Sequence, residues 1–313
     1  MTENLDLETL NPANHDLATR RCGYIGIVGR PNVGKSTLMN SLLGQKIAIT
    51  SSKPQTTRHR ILGILTEDNA QLIFVDSPGM HAKETNQLNK IINRTAVNVL
   101  NSVDVLYFVV EGTKWLEDDD LVLSKLQQVQ TPVILVLNKV DIIADKTKLL
   151  PYLEQVQSKY PWADIIPVSA EKGDNLDKLV SLSTKFLPLS DYHYDQDQVT
   201  DKGGRFMAAE FIREKLMRLL GDELPYSTSV EIERFRMTPG GVNVDAVIYV
   251  DRDGQKKIII GKNGEKIKRI GTEARIDLGK ALERRINLNL WVKVKRGWSD
   301  DIRALRSLGY MDE

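Results

Sequence analysis

Gly29-Arg30-Pro31-Asn32-Val33-Gly34-Lys35-Ser36, followed by Thr37, lies between an apolar run at 24–28 and residues 36–44. In the latter, Leu38, Met39, Leu42 and Leu43 share one side of a helix. Strand, glycine-rich turn and helix together are the context in which this spacing has a mechanism. Backbone N–H groups between the two glycines can wrap a β-phosphate. Lys35 brings a point charge to the β/γ-phosphates, and the Ser36 hydroxyl can ligate Mg²⁺. The helix beginning there turns its positive end to the anion.

Three further segments each close an apolar run. Asp76-Ser77-Pro78-Gly79 follows 72–75, Asn138-Lys139-Val140-Asp141 follows 133–137, and Ser169-Ala170-Glu171 ends 164–168. In this order, one parallel sheet can carry all four segments to one edge. The Asp141 carboxylate can accept from guanine N1–H and from its exocyclic amine. Adenine offers neither donor there and would leave a desolvated carboxylate unpaired, typically at several kcal/mol. Asn138 can meet the base edge and brace the loop, Lys139 can lie over the ring, and backbone N–H groups near Ala170 can meet guanine O6. The four segments together describe a site for GTP or GDP with Mg²⁺.

The runs at 103–110 and 133–137 are almost continuously apolar, as in strands covered on both faces. Residues 85–100 and 146–160 have helical spacing. Such alternation implies an α/β doubly wound domain, here over 21–187, with a mixed, mostly parallel sheet. Residues 1–20 read as a disordered tail. Residues 188–204, rich in Asp, Tyr and Gln, read as a linker to a second domain at 205–313.

That second domain differs in charge. Over the whole chain of 313 residues the net charge is +1, yet residues 252–296 hold 14 basic against 5 acidic side chains. One basic patch on a balanced chain points to a polyanionic partner for that patch. Residues 206–219 read as a helix with Phe206, Ala209, Ile212, Leu216 and Leu219 on its apolar side. Residues 229–236 and 242–250 read as paired strands, 265–284 as a basic helix and 288–295 as a closing strand. Gly261-Lys262-Asn263-Gly264 sits between an apolar stretch and that helix. In this α+β order, a G-x-x-G loop is the type II KH device for clamping single-stranded nucleotides. Lys256, Lys257, Lys266, Lys268 and Arg269 extend the electrostatic track. The single cysteine, Cys22, leaves no disulfide framework or disulfide partner, and no Cys/His cluster suggests zinc. Free thiols suit a reducing cytosol, and no apolar run reaches spanning length, so a cytoplasmic protein is expected. The acidic run Glu117-Asp118-Asp119-Asp120 reads as a solvated helix start. Trp115, Trp162, Trp291 and Trp298 read as core or rim residues.

The first domain resembles translation-factor-type GTPases. The whole chain resembles the Era family, bacterial GTPases with an appended KH domain. The resemblance rests on residues 31–37, Pro54-Gln55-Thr56-Thr57-Arg58-His59-Arg60, the D-x-P-G segment, G-Q-K-K at 254–257, L-W-V-K-V-K at 290–295 and L-R-S-L-G-Y at 305–310. It implies a monomeric GTPase that binds the 3′ end of 16S ribosomal RNA and assists assembly of the 30S subunit. Peripheral contact with the inner membrane is a secondary implication. The alternative is a membrane-associated signalling GTPase whose basic patch binds anionic lipid. By the resemblance, residues 54–60 are the first switch, with Thr57 or the adjacent Thr56 as the Mg²⁺/γ-phosphate threonine. Asp76 is the metal-side carboxylate, reached through water, and Gly79 the γ-phosphate-sensing N–H. Ser77 stands where the family more often has Thr.

Ras-like enzymes orient the attacking water with a Gln after the switch glycine. Here that residue is Met80, which does no acid–base work and reads as local packing; His81 reads as an exposed loop residue. Intrinsic turnover is therefore expected on the order of 10⁻⁴ s⁻¹, as for unassisted Ras. Multiple-turnover phosphate release checks this, and a rate near ~10 s⁻¹ would refute it.

Overall fold

The computed structural model describes residues 19–80, 86–221 and 224–310. All but the last two residues of the expected tail lie outside this range, as does His81. Six strands, β1 (Arg21–Val28), β2 (Ile61–Glu67), β3 (Ala70–Asp76), β4 (Val105–Glu111), β5 (Val133–Asn138) and β6 (Asp164–Pro167), form one sheet in the order β2-β3-β1-β4-β5-β6. Every neighbouring pair is parallel except β2 with β3. The apolar runs are strands for the expected reason, since both faces of the sheet are covered. Helices α1 (Lys35–Leu43) and α5 (Leu176–Thr184) pack Leu38, Met39, Leu179 and Val180 on Ile25, Ile27 and Tyr107. On the other face, α2 (Gln87–Leu100), α3 (Glu117–Leu126) and α4 (Leu149–Gln157) bring Ala96, Val122 and Val156 to Leu106, Phe108 and Leu135.

Strand β2 is absent from the sequence reading. Its I-L-G-I-L run does not alternate, because both its faces are covered. Leu62 and Ile64 lie under Tyr192 and Tyr194, which come from the stretch read as a linker. That stretch is fastened to the sheet edge. The fully buried Gln71 accepts from the backbone N–H groups of His193 (2.9 Å) and Tyr194 (3.0 Å), and Ile64 N–H donates to Val199 O at 2.8 Å.

The chain then enters α6 (Gly204–Leu219). It is followed by the hairpin β7 (Ser229–Thr238) and β8 (Gly241–Val250), α7 (Asp253–Ile260), α8 (Glu265–Ala281), β9 (Ile286–Val294) and α9 (Ile302–Ser307). β8 pairs antiparallel with β7 and parallel with β9. The apolar stretch before the G-K-N-G turn is thus a helix, α7. The Gln255 side chain caps its start by accepting from the Asp251 and Arg252 N–H groups, a local signal that the Ile258–Ile260 run masks.

Helix α6 differs from its sequence reading. Its most buried residues include Met207, Ala208, Phe211 and Met217, together with the charged Glu210, Arg213, Glu214 and Lys215. Most of it is covered because β7 and α8 pack on one side and the 46–59 segment of the first half closes over the other, so its pattern is not that of a one-faced surface helix. The buried charges are paired. Arg213 donates to both Glu210 oxygens at 2.8 and 2.6 Å, and Glu214 receives Lys46 at 2.6 Å. Arg213→Met, which strands Glu210, is expected to lower the unfolding free energy by about 3–5 kcal/mol, and Glu210→Leu/Arg213→Met by much less. Urea denaturation measures both.

Candidate functional site

All four motif segments emerge at the carboxyl ends of β1, β3, β5 and β6, on one edge of the sheet. Between β1 and α1 the phosphate-type loop closes on itself. Lys35 Nζ, buried, donates to Gly29 O at 2.9 Å and Arg30 O at 2.8 Å. Burial holds its ammonium down to about 8, against the pull of the Asp76 carboxylate. The loop requires glycine at 34. Its φ is +98°, and a Cβ there would fall 2.4 Å from Asn138 Nδ2. Pro31, Asn32, Gly34, Ser36, Thr37 and Gly79 border the same cleft as Thr56 and Thr57. Val33 faces inward; its carbonyl receives Asn138 Nδ2 at 2.8 Å. Arg30 turns its side chain away from the cleft, towards Asp119.

Three hard oxygens meet at the end of β3. Ser36 Oγ lies 2.7 Å from Asp76 Oδ2 and 2.9 Å from Thr57 Oγ1, and Thr57 Oγ1 donates to Asp76 Oδ2 at 3.3 Å. Asp76 is fully buried, and its Oδ1 has no hydrogen-bond partner. Burial pushes its carboxyl up to about 6, although Ser36, Lys35 and Thr57 all favour the anion. A buried carboxylate with an orphaned oxygen beside two hydroxyls fits a hard cation such as Mg²⁺. Among the described residues no group of three or more His, Cys, Asp or Glu side chains forms a metal cluster. A Mg²⁺ completed by phosphate and water needs none. Of the two threonines, Thr57 reaches this corner, whereas Thr56 Oγ1 donates to Lys53 O at 2.7 Å. Ser77 is buried, its hydroxyl held by Ile27 O at 2.9 Å. Beyond Pro78 and Gly79, Met80 is 6% exposed and packs with Val28, Ala96 and Phe108.

The base-side loop is braced from within. Asn138 Oδ1 accepts from Lys139 N–H (2.8 Å) and Ala170 N–H (3.0 Å), so the Ala170 amide is occupied in holding Asn138. Lys139, at φ +64°, sends Nζ to Asn32 O at 2.8 Å and Glu111 at 2.9 Å. Asp141 is exposed and accepts from Ser169 Oγ at 2.7 Å; Glu171 is exposed beyond it.

The acidic run in the first turn of α3 is solvated at Glu117, Asp118 and Asp120 but not at Asp119, which is fully buried against Arg30. This corrects the reading of the whole run as solvent-facing. A buried cation on the phosphate loop, distant in sequence, draws that one carboxylate inward.

Sequence reasoning does not find how the cleft joins the second sheet. Arg58, next to Thr57, is 3% exposed. Its guanidinium donates to Thr228 O (2.8 Å), Pro225 O and Tyr226 O (both 3.2 Å) and Tyr310 OH (3.2 Å). His59 stacks on Tyr310 and meets Phe206 edge-on, and burial holds its imidazole down to about 4. Leu88 and Ile92 of α2 pack on Trp298, Leu305 and Tyr310.

At the other end, Gly261, Asn263 and Gly264 all have φ between +52° and +78°, and a Cβ on Gly261 would lie 2.8 Å from Lys266 Cβ. Lys257, Lys262, Asn263, Lys268 and Arg269 are exposed, and Lys256 and Lys266 half-buried. Arg269 is paired with Glu273 at 2.8 Å. Beside this loop runs a groove, lined by Ile267 and Arg275 of α8 and Leu288, Leu290 and Trp291 of β9. Trp291 is 46% exposed, whereas Trp298 is fully buried. The alternation along 288–295 is the sequence signal for Leu288 and Leu290, which share one face of the strand, but not for Trp291, which borders the groove from the adjacent position.

Gly34→Ala is expected to weaken GDP binding by about a hundredfold, since either the loop or Asn138 must move. Titration with a fluorescent GDP, beside circular dichroism for the fold, checks it.

A sequence profile of the 50S ribosome-binding GTPase family matches residues 24–139, and one of the KH domain matches 223–299. The GTPases Era of Yersinia pestis (strain Pestoides F) and of Yersinia pseudotuberculosis (serotype O:1b, strain IP 31758) are each 56% identical over 293 residues, covering 93% of this chain and 97% of theirs. Two crystal structures are similar throughout, each 39% identical over 93% of this chain and 99% of the other. They are a point variant of Aquifex aeolicus Era bound to GDP·AlF4⁻ (TM-score 0.89) and an Era in complex with MgGDPNP and nucleotides 1506–1542 of 16S ribosomal RNA (TM-score 0.88). Fold, motif edge and full-length identity agree: the chain belongs to the Era family of GTPases, a P-loop GTPase domain followed by a KH domain.

Proposed function

We propose that the protein is a slow, Mg²⁺-dependent GTPase switch whose KH half grips the 3′ end of 16S ribosomal RNA and which assists maturation of the 30S subunit in the cytoplasm. Residues 21–187 form the GTPase unit, 188–204 the connection and 205–313 the RNA-binding unit. The observation that carries the reading is the junction at 57–58. Thr57 sits at the Ser36–Asp76 corner while the next residue, Arg58, is bonded into the second unit. A segment that reports the nucleotide also reaches the RNA-binding unit.

Lys35 and the loop N–H groups between Gly29 and Ser36 receive the phosphates, and Gly79 offers its N–H to the γ-phosphate. Asn138 holds the base loop while Asp141, pre-oriented by Ser169, pairs with guanine. Ser36 and Thr57, with Asp76 through water, would hold Mg²⁺, which neutralises phosphate charge when bound. Met80 supplies no base, so positioning and electrostatics carry the reaction. On the RNA side, residues 261–264 approach the backbone, lysines 256, 257, 262, 266 and 268 with Arg269 supply charge, and Trp291 offers a stacking face. Among the described residues no helix is long and apolar enough to cross a membrane. Peripheral lipid contact is secondary in this reading, and the groove beside the G-K-N-G turn favours RNA over lipid.

Gly261→Asp/Gly264→Asp is expected to lower affinity for single-stranded RNA ending in the ribosomal 3′ sequence at least about tenfold, leaving GDP binding intact. Tighter vesicle binding than RNA binding by the parent protein would favour the lipid reading. RNA affinity should also differ between GDP and a non-hydrolysable GTP analogue, by about 5–150-fold if coupling is typical. Arg58→Ala should shrink that ratio towards one, because it cuts the contact between switch and RNA-binding unit.

A further inference from the structure

Two acidic residues outside every recognised motif stand behind the nucleotide cleft. Asp119, in the first turn of α3, is fully buried. Its Oδ2 accepts from Leu116 N–H at 2.9 Å and from Arg30 Nε at 3.1 Å. Glu111 ends β4, in register beside Asn138 of β5. Its Oε2 accepts from Lys139 Nζ at 2.9 Å and lies 3.6 Å from the Arg30 guanidinium.

These contacts form one chain. Arg30 belongs to the phosphate loop and Lys139 to the base loop, and Lys139 Nζ also donates to Asn32 O of the phosphate loop at 2.8 Å. The Arg30 side chain is 8% exposed and directed to Asp119 and Glu111, so it serves as a strut while its backbone stays in the phosphate loop. Removing either acid leaves a largely covered cation short of counter-charge, and that cation regains a partner only by moving its loop. The two loops grip opposite ends of the same ligand, so their separation decides whether both can engage at once.

We propose that Glu111 and Asp119 are positioning residues for guanine nucleotide binding: through Arg30 and Lys139 they fix the phosphate loop and the base loop against each other. This rests on the reading of the cleft as a guanine nucleotide site. Neither acid borders the cleft. Asp119 also caps α3 by accepting from Leu116 N–H, and Glu111 also pairs with the exposed Lys114 at 3.1 Å, so coupling to Arg30 and Lys139, not loss of affinity alone, distinguishes the proposal from a general contribution to stability.

The test is a double-mutant cycle on GDP affinity with the full chain. Glu111→Gln and Lys139→Met are each expected to weaken GDP about tenfold, and Glu111→Gln to add less than about twofold in the Lys139→Met background. Asp119→Asn with Arg30→Met should behave the same way. Thermal unfolding without nucleotide reports any loss of fold. If the Asp119 variant does not fold, the Glu111 cycle alone decides, since Glu111 lies at the rim. Effects that multiply independently, or a Glu111→Gln protein that binds GDP like the parent, would overturn the proposal. Parent protein that binds ADP as tightly as GDP would instead overturn the guanine-site reading itself.

Discussion

The buried guanidinium of Arg58 is the contact on which the arrangement of the two halves depends. It ties the segment leading away from Thr57 to three carbonyls at 225–228 and to the hydroxyl of Tyr310. An arginine buried to this depth is stable only with most of its donors satisfied, so the acceptors must come to it. They come from both ends of the KH half: the turn before β7 and the segment after α9. Tyr310 in turn stacks on His59 and packs with Trp298 against Leu88 and Ile92. The segment beside the cleft and helix α2 are therefore both pinned to one C-terminal cluster.

Helix α6 completes that attachment. A helix covered by β7 and α8 on one side and by the 46–59 segment on the other has little room for a polar face, and its Glu210, Arg213, Glu214 and Lys215 are buried as pairs. Glu214 also accepts from Thr50 N–H and Lys46, both on the segment approaching the first switch. Burial raises the cost of its charge, but Lys46 and the Thr50 amide hold the carboxyl below its ordinary range. Pairs like these specify one docking geometry more than they add stability, because desolvation consumes most of their attraction. For a switch, a unique arrangement that can be exchanged for another is more useful than a tightly fused one.

Much of the cleft is legible in the residues. Gly34, Lys35, Ser36, Asp76, Asn138 and Asp141 stand out because the roles expected of them follow from backbone geometry and functional groups within a few residues. Met80 reads as packing and is packed, since a thioether has little else to do there. Other features resist a local reading. β2 escapes it because its cover arrives from 192–194, α7 because a capped helix rich in isoleucine imitates a strand, and Asp119 because its partner lies 89 positions away. That Thr57 stands within reach of Ser36 and Asp76 while Thr56 turns to Lys53 O is likewise visible only in three dimensions.

The sequence by itself determined the chemistry available: which nucleotide, which cation and which polymer the side chains suit. Those are properties of functional groups held at fixed spacing on a short backbone, where the covalent chain sets the geometry. Tertiary structure alone decided what the charged residues between the motifs do. Arg58, Asp119 and Glu214 are ordinary polar residues in the chain. Their surroundings came from elements 89 to 252 residues away, because burial and pairing depend on which distant surfaces close over them.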